Sequence, residues 1–153
     1  DKERGKRVVI DTRTTLIGRI NAEYIFLMVL HSYITSKILR AFYEVYHELG
    51  YGFLENVYQN ALYKELLRSG LKCEPQKKIE VYYKGEVVGL YYADILVEGV
   101  VILELKAVEA ITPGHEAQLL NYLKATGIEV GLVLNFGPEP AFRRKICSRQ
   151  YKK

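Results

Sequence analysis

The stretch from Lys77 to Lys106 constrains this chain most. It contains the run IEVYYKGEVVGLYYADILVEGVVILELK, rich in valine, isoleucine and tyrosine and broken at Lys84-Gly85 and Glu98-Gly99. β-Branched and aromatic side chains suit a pleated surface, and a polar residue followed by glycine suits a tight hairpin. Three consecutive antiparallel strands follow. Such a sheet buries an apolar face only if something covers it, so the flanking sequence has to supply helices.

From Tyr33 to Leu49 the residues Ile34, Ile38, Ala41, Phe42, Val45 and Leu49 recur at three-to-four spacing, one face of an amphipathic helix that Gly50 and Gly52 end. A second helix is predicted over residues 54–69, with Leu54, Val57, Tyr58, Ala61, Leu62 and Leu66 inward and Gly70 as its terminator. Beyond the strands, Thr112-Pro113 has the chemistry of an N-cap and first turn. Leu119, Leu120 and Leu123 give that helix a buried side, and Gly127 marks its end. The almost wholly apolar VGLVLNF, residues 130–136, then reads as a strand covered on both faces, with a last short element over 141–147.

At 153 residues and 49% hydrophobic content the chain fits one domain, placed here at residues 31–140. Residues 1–30 read as an extension: RVVIDTRTTLIGRI is either a genuine strand or sequence upstream of a start near Met28, the one methionine. Residues 141–153 hold Arg143, Arg144, Lys145, Arg149, Lys152 and Lys153 and no acid, so the net charge of +4 collects in a basic tail on a mildly acidic body. Such a tail is either a solvated end or a phosphate contact, with Arg143, Arg144 and Lys145 as the candidates for touching nucleic acid. Cys73 and Cys147 have no metal-ligand spacing, which suits reduced thiols in a cytoplasmic protein. YIFLMVL at 24–30 is far shorter than the ~20 apolar residues of a membrane span.

Three ionisable residues, Asp94, Glu104 and Lys106, interrupt the apolar strands. A charge in a core-like strand needs an ionic partner, hydrogen bonds or a metal. Strand alternation puts Glu104 and Lys106 on one face with Val100 and Ile102, and Leu103, Leu105 and Ala107 on the other. The plain reading of E-x-K is a solvent-facing ion pair; the apolar company of Val100 and Ile102 argues against it. The turn decides where Asp94 goes. A two-residue loop at Glu98-Gly99 sets Asp94 opposite Leu103, whereas a three-residue connection or a bulge sets it opposite Glu104. In the second case two carboxylates converge and repel unless a dication sits between them, and oxygen-only ligands with water favour magnesium or manganese over zinc.

Glu55 lies three and seven residues before Tyr58 and Leu62, at the margin of the buried stripe, either as a first-turn acid favoured by the helix dipole or as part of this group. Gln118 and Tyr122 present an amide and a phenol on one side of the third helix, as a surface pair or as site residues. Tyr82, Tyr83, Tyr91 and Tyr92 read as ordinary strand residues, with base stacking as the alternative.

GFLENVY at 52–58 resembles the G-x-x-E-x-x-Y signature of the GxxExxY protein family. Ala93-Asp94 followed by Glu104-Leu105-Lys106 resembles the motif of the PD-(D/E)XK nuclease superfamily, with alanine where that name has proline. HEAQLLNYL at 115–123 is similar to the Q-x-x-x-Y element of RecB-like members, and the likeness spans about residues 31–137. It implies an α/β fold with a restriction-endonuclease-like αβββαβ core, a mixed central sheet flanked by helices, and metal-dependent hydrolysis of phosphodiester bonds in DNA. It also implies roles. Asp94 and Glu104 would ligate magnesium or manganese, and Glu55 would join this metal site by orienting a water on the ion. Lys106 would hold or polarise the attacking water, and Gln118 and Tyr122 would position the phosphate or Lys106. The competing expectation is a catalytically silent nuclease-fold module that binds nucleic acid or assembles with others, because fold does not decide function. A homodimer or a targeting protein partner is compatible with either.

Overall fold

The computed structural model describes residues 7–11 and 22–149. Its elements run β1 (Arg7–Asp11), α1 (Ala22–Val29), α2 (Ser32–Leu49), α3 (Glu55–Arg68), β2 (Cys73–Tyr83), β3 (Glu86–Val97), β4 (Val101–Lys106), α4 (Pro113–Thr126), β5 (Val130–Phe136) and β6 (Pro140–Arg149). The strands make one mixed sheet in the order β1-β6-β5-β4-β3-β2. Only β4 and β5 are parallel, joined by α4 as the crossover. The stretch from α3 to β5 reproduces the expected αβββαβ order.

The sheet divides the core into two layers, and the side-chain alternation of β3 changes phase around Asp94. Ile95, Val97, Leu103, Leu105, Leu132 and Leu134 face α2 and α3, meeting Ile38, Phe42, Tyr58 and Leu62. Ala93, Leu96, Ile102 and Val133 face α4, meeting Leu119, Tyr122 and Leu123. With helices on both sides, every residue of β5 is buried, which is why its sequence is a continuous apolar run. α4 comes close to the sheet because position 131 is glycine: a Cβ there would meet Leu119 Cδ1 at 2.7 Å.

The helix boundaries follow the expected chemistry. At α4, Thr112 accepts the backbone N–H of His115, while His115 Nδ1 accepts the Thr112 N–H at 3.0 Å, a reciprocal cap behind Pro113. α3 ends at Ser69-Gly70, with Leu71 N–H returning to Leu66 O at 3.2 Å. One inward assignment is corrected. Leu54 precedes the helix as its N-cap position and is 77% exposed, so the buried stripe of α3 is Tyr58, Leu62 and Leu66.

The termini also differ from the expectation. Residues 140–149 are not a solvated tail but a ten-residue strand, β6, paired along the whole of β5. A buried central strand cannot leave one edge of backbone donors and acceptors unpaired, and β6 satisfies it. Of the extension, Arg7–Asp11 form the edge strand β1 against β6. Residues 12–21, Lys152 and Lys153 lie outside the described residues. Among the described residues no helix is long and apolar enough to cross a membrane.

Candidate active site

The β3–β4 connection is the three-residue one. Val97 pairs with Val101, Leu96 with Ile102 and Ile95 with Leu103, around Glu98 (φ 52°) and Gly99 (φ 68°) in the left-handed region. The next position in this register sets Asp94 opposite Glu104. There the ladder opens: in place of a backbone carbonyl, Asp94 Oδ2 accepts the Leu105 N–H at 2.7 Å. The half-buried Asp94 is thus wedged between strands, and Glu104 projects beneath α4 with only 5% exposure. Lys106 follows on the same face, partly exposed at the end of β4.

The G-x-x-E-x-x-Y segment builds the third side. Gly52 takes φ 109°, a conformation that L side chains rarely adopt. The fully buried Tyr58 donates its hydroxyl to Gly50 O at 2.7 Å and accepts the Phe53 N–H at 3.3 Å, so it ties the incoming loop to the helix it opens. Stacking of Tyr58 on Phe136, with ring centroids 4.3 Å apart, anchors that unit to β5. Glu55 is then held at the start of α3, exposed to solvent, yet close enough to feel the charges of Asp94 and Lys106. One helical turn on, Gln59 donates to Asp94 O at 3.3 Å and accepts from Gln76 at 3.0 Å. Gln76, at φ 51°, faces Asp94 in the β2–β3 pairing. Gln59 was not singled out from the sequence, although its spacing of four from Glu55 on one helix face was the available signal.

α4 supplies the fourth side. Gln118 Nε2 donates to Tyr122 Oη at 2.9 Å, and the Tyr122 phenol is raised above its usual value by burial first and then by the nearby charge of Glu104. The loop entering α4 is clamped by the buried Asn135, which accepts from Val108 N–H at 3.0 Å and donates to Val108 O at 2.9 Å. His115, not anticipated as a site neighbour, is lowered by burial and by Lys106, which marks the ammonium as near the start of α4.

The electrostatics single out one group. Burial, with the neighbouring Asp94 charge second, pushes the Glu104 carboxyl up to about 8, despite the opposing effects of Lys106 and the Asp94 backbone amide. Asp94 is also raised, mainly by burial, and the more open Glu55 is raised by its partial desolvation first and then by the Asp94 charge. Among the described residues, the buried Glu104 Oε1 finds no hydrogen-bond partner. A buried acceptor left bare costs on the order of 1–3 kcal/mol, more if charged, so this atom is a vacancy in the bonding pattern of the site. A hard divalent cation fits it: Glu104 and Asp94 offer oxygen donors, and a positive charge would offset the burial that raises both and the Asp94 charge that raises Glu104 further. Among the described residues no three His, Cys, Asp or Glu side chains are grouped to hold an ion. Glu55 therefore does not complete a protein cage with the other two, and the fit is to an ion that keeps much of its water, as magnesium does.

A family model described as the PD-(D/E)XK nuclease superfamily matches residues 32–146. The chain belongs to that superfamily. The mixed sheet with flanking helices is accordingly its restriction-endonuclease-like α/β fold. No curated protein matches the chain. A solved structure titled "Crystal structure of SSO0001" is similar at 19% identity and a TM-score of 0.47, over 85% of this chain and 60% of that one. The chain thus spans less than two thirds of that relative's length.

Within this PD-(D/E)XK domain the basic residues of β6 are not gathered on one open surface. Lys145 is buried and pairs with the equally buried Glu116 of α4 at 3.2 Å. Arg144 donates to the backbone oxygens of Met28 and Leu30, at the carbonyl end of α1 where a cation is favoured. Arg143, half-buried, donates to Phe142 O at 2.9 Å. These contacts commit Lys145 and Arg144 to the fold, correcting their expected place in a phosphate-binding tail.

Proposed function

We propose that this chain is a divalent-cation-dependent nuclease of the GxxExxY type, hydrolysing phosphodiester bonds of DNA in the cytoplasm. The observation that supports it most is the bare, buried Glu104 Oε1 beside Asp94 and Lys106. Asp94 and Glu104 would hold magnesium or manganese. When bound, the ion supplies a lowered pKa for water and a positive charge for the phosphoryl oxygens. The rest falls to side chains. Water attacks phosphorus and gives up a proton to solvent, the opposite P–O bond breaks, and the departing oxygen takes a proton from solvent. The Lys106 ammonium offsets the negative charge that develops on the phosphoryl oxygens. Glu55, at the solvent side, accepts a hydrogen bond from the incoming water and orients it. The Gln118–Tyr122 pair offers donors that position the phosphate from the α4 side.

The alternative is a silent nuclease-fold module that binds nucleic acid or assembles with a partner, because fold does not decide function. Against it stands the cost of Glu104: a fold kept only for binding gains nothing from a buried carboxyl with a bare oxygen. The test incubates the purified chain with circular, linear and single-stranded DNA in magnesium, manganese or chelator, alongside Lys106→Ala. Metal-dependent cleavage that the substitution abolishes is expected. Cleavage that persists unchanged in chelator or in Lys106→Ala overturns the reading.

A further inference from the structure

The β2–β3 hairpin outruns its sheet. β4 pairs with β3 only over Ile95–Val97, so residues 86–93 have β2 as their sole strand neighbour. The aromatic side chains there are not packed as strand residues of a covered sheet would be: Tyr82 is 59% exposed and Tyr91 46%. Between this hairpin and α4 runs an open groove of about 730 Å³, whose lining includes Glu80, Tyr82, Tyr91, Gln118, Tyr122 and Lys124.

Two features make it more than a gap. Tyr122 lines the groove and also lies near the charges of Glu104 and Asp94, so the groove wall adjoins the acid cluster. The groove wall is also set in place. Tyr91 lies 5.5 Å from Tyr122 between ring centroids, and a Cβ at residue 89 would meet the Tyr91 ring at 3.3 Å, so Gly89 leaves the room that the ring occupies. Tyr82 donates to Glu80, whose other oxygen pairs with Lys78 at 3.2 Å. The one acid of the wall is thereby matched by a cation, and Lys124 adds a further positive charge. Half-exposed aromatic faces beside modest positive charge suit bases that have left a helix stack; in a duplex those faces are covered by neighbouring bases.

We propose that this groove guides a single-stranded nucleic acid to the acid cluster, with unstacked bases lying on Tyr82 and Tyr91. The proposal rests on the nuclease reading and narrows its substrate to unpaired strands. It is tested by fluorescence anisotropy in chelator, where nothing is cut, using labelled oligothymidine, oligouridine and a blunt duplex. Oligothymidine should bind more tightly than the duplex. Tyr82→Ala with Tyr91→Ala should weaken it by roughly tenfold or more, while the two phenylalanine substitutions retain binding. Oligouridine held through the same tyrosines supports the platform equally and adds RNA as an occupant. Equal affinity for duplex, or oligothymidine binding unchanged in the double-alanine protein, overturns the proposal. Binding through the tyrosines without cleavage in magnesium or manganese sinks the nuclease reading alone; cleavage with unaltered binding in the double-alanine protein sinks the groove alone.

Discussion

Glu104 and Glu116 are both 5% exposed and both lie between the sheet and α4, yet they are treated differently. Glu116 has a buried cation, Lys145, at 3.2 Å. Glu104 has a bare oxygen and a second carboxylate beside it. The first arrangement is closed: its charges are matched within the chain. The second is open, and its imbalance is what a ligand can relieve. Burial alone therefore does not mark a site; a buried acid set beside a second acid does.

Four experiments sharpen that contrast, the largest effect first. Glu104→Gln should lower cleavage by ~10³-fold while the metal-free protein melts at the same temperature or higher, because the substitution removes a buried acid whose ionisation the fold penalises. A clear fall in melting temperature would make Glu104 a structural residue like Glu116. Lys145→Met should have the opposite profile, losing about 3–5 kcal/mol in chemical denaturation because Glu116 is left buried with its matched cation gone. Glu116→Gln together with Lys145→Met should recover most of that loss; a double variant as unstable as the single one would deny the pair its balancing role.

The third concerns pH. The folded value of Glu104, about 8, lies above its ordinary 4.5, so folding favours the protonated form. The penalty is absent below the ordinary value, and the metal-free protein should lose stability as pH rises toward 8. Only the ionised form takes a cation, so manganese affinity should rise roughly tenfold from pH 6 to pH 7 in calorimetry, a slope that Glu104→Gln removes. The smallest effect is Tyr122→Phe, which breaks the 2.9 Å bond to Gln118 and should slow cleavage roughly three- to tenfold without changing the melting point. An unaltered rate would leave that pair outside the chemistry.

Much of this was legible in the residues because hydrophobic period survives in a single chain. α2, β5 and the capped start of α4 fall where spacing and Thr112-Pro113 put them. The turn at Glu98 stayed open between two registers because Glu-Gly suits either, and the left-handed torsion of both residues is invisible in their names. A last element was expected over 141–147, but what its charges do was not legible: the acid that matches Lys145 sits on α4 and the carbonyls that take up Arg144 sit at the end of α1. The tyrosines lie in strands as read, yet about half exposed. They have strand chemistry, but β4 is only six residues long and gives the distal hairpin nothing to pack beside.

Manganese binding followed by electron paramagnetic resonance near pH 8 tests the central claim most directly, comparing wild type, Glu104→Gln, Asp94→Asn and the Glu116→Gln/Lys145→Met double variant. The account predicts about one ion per chain in the wild type and the double variant, and none held by either single variant. Undiminished binding in Glu104→Gln would contradict it.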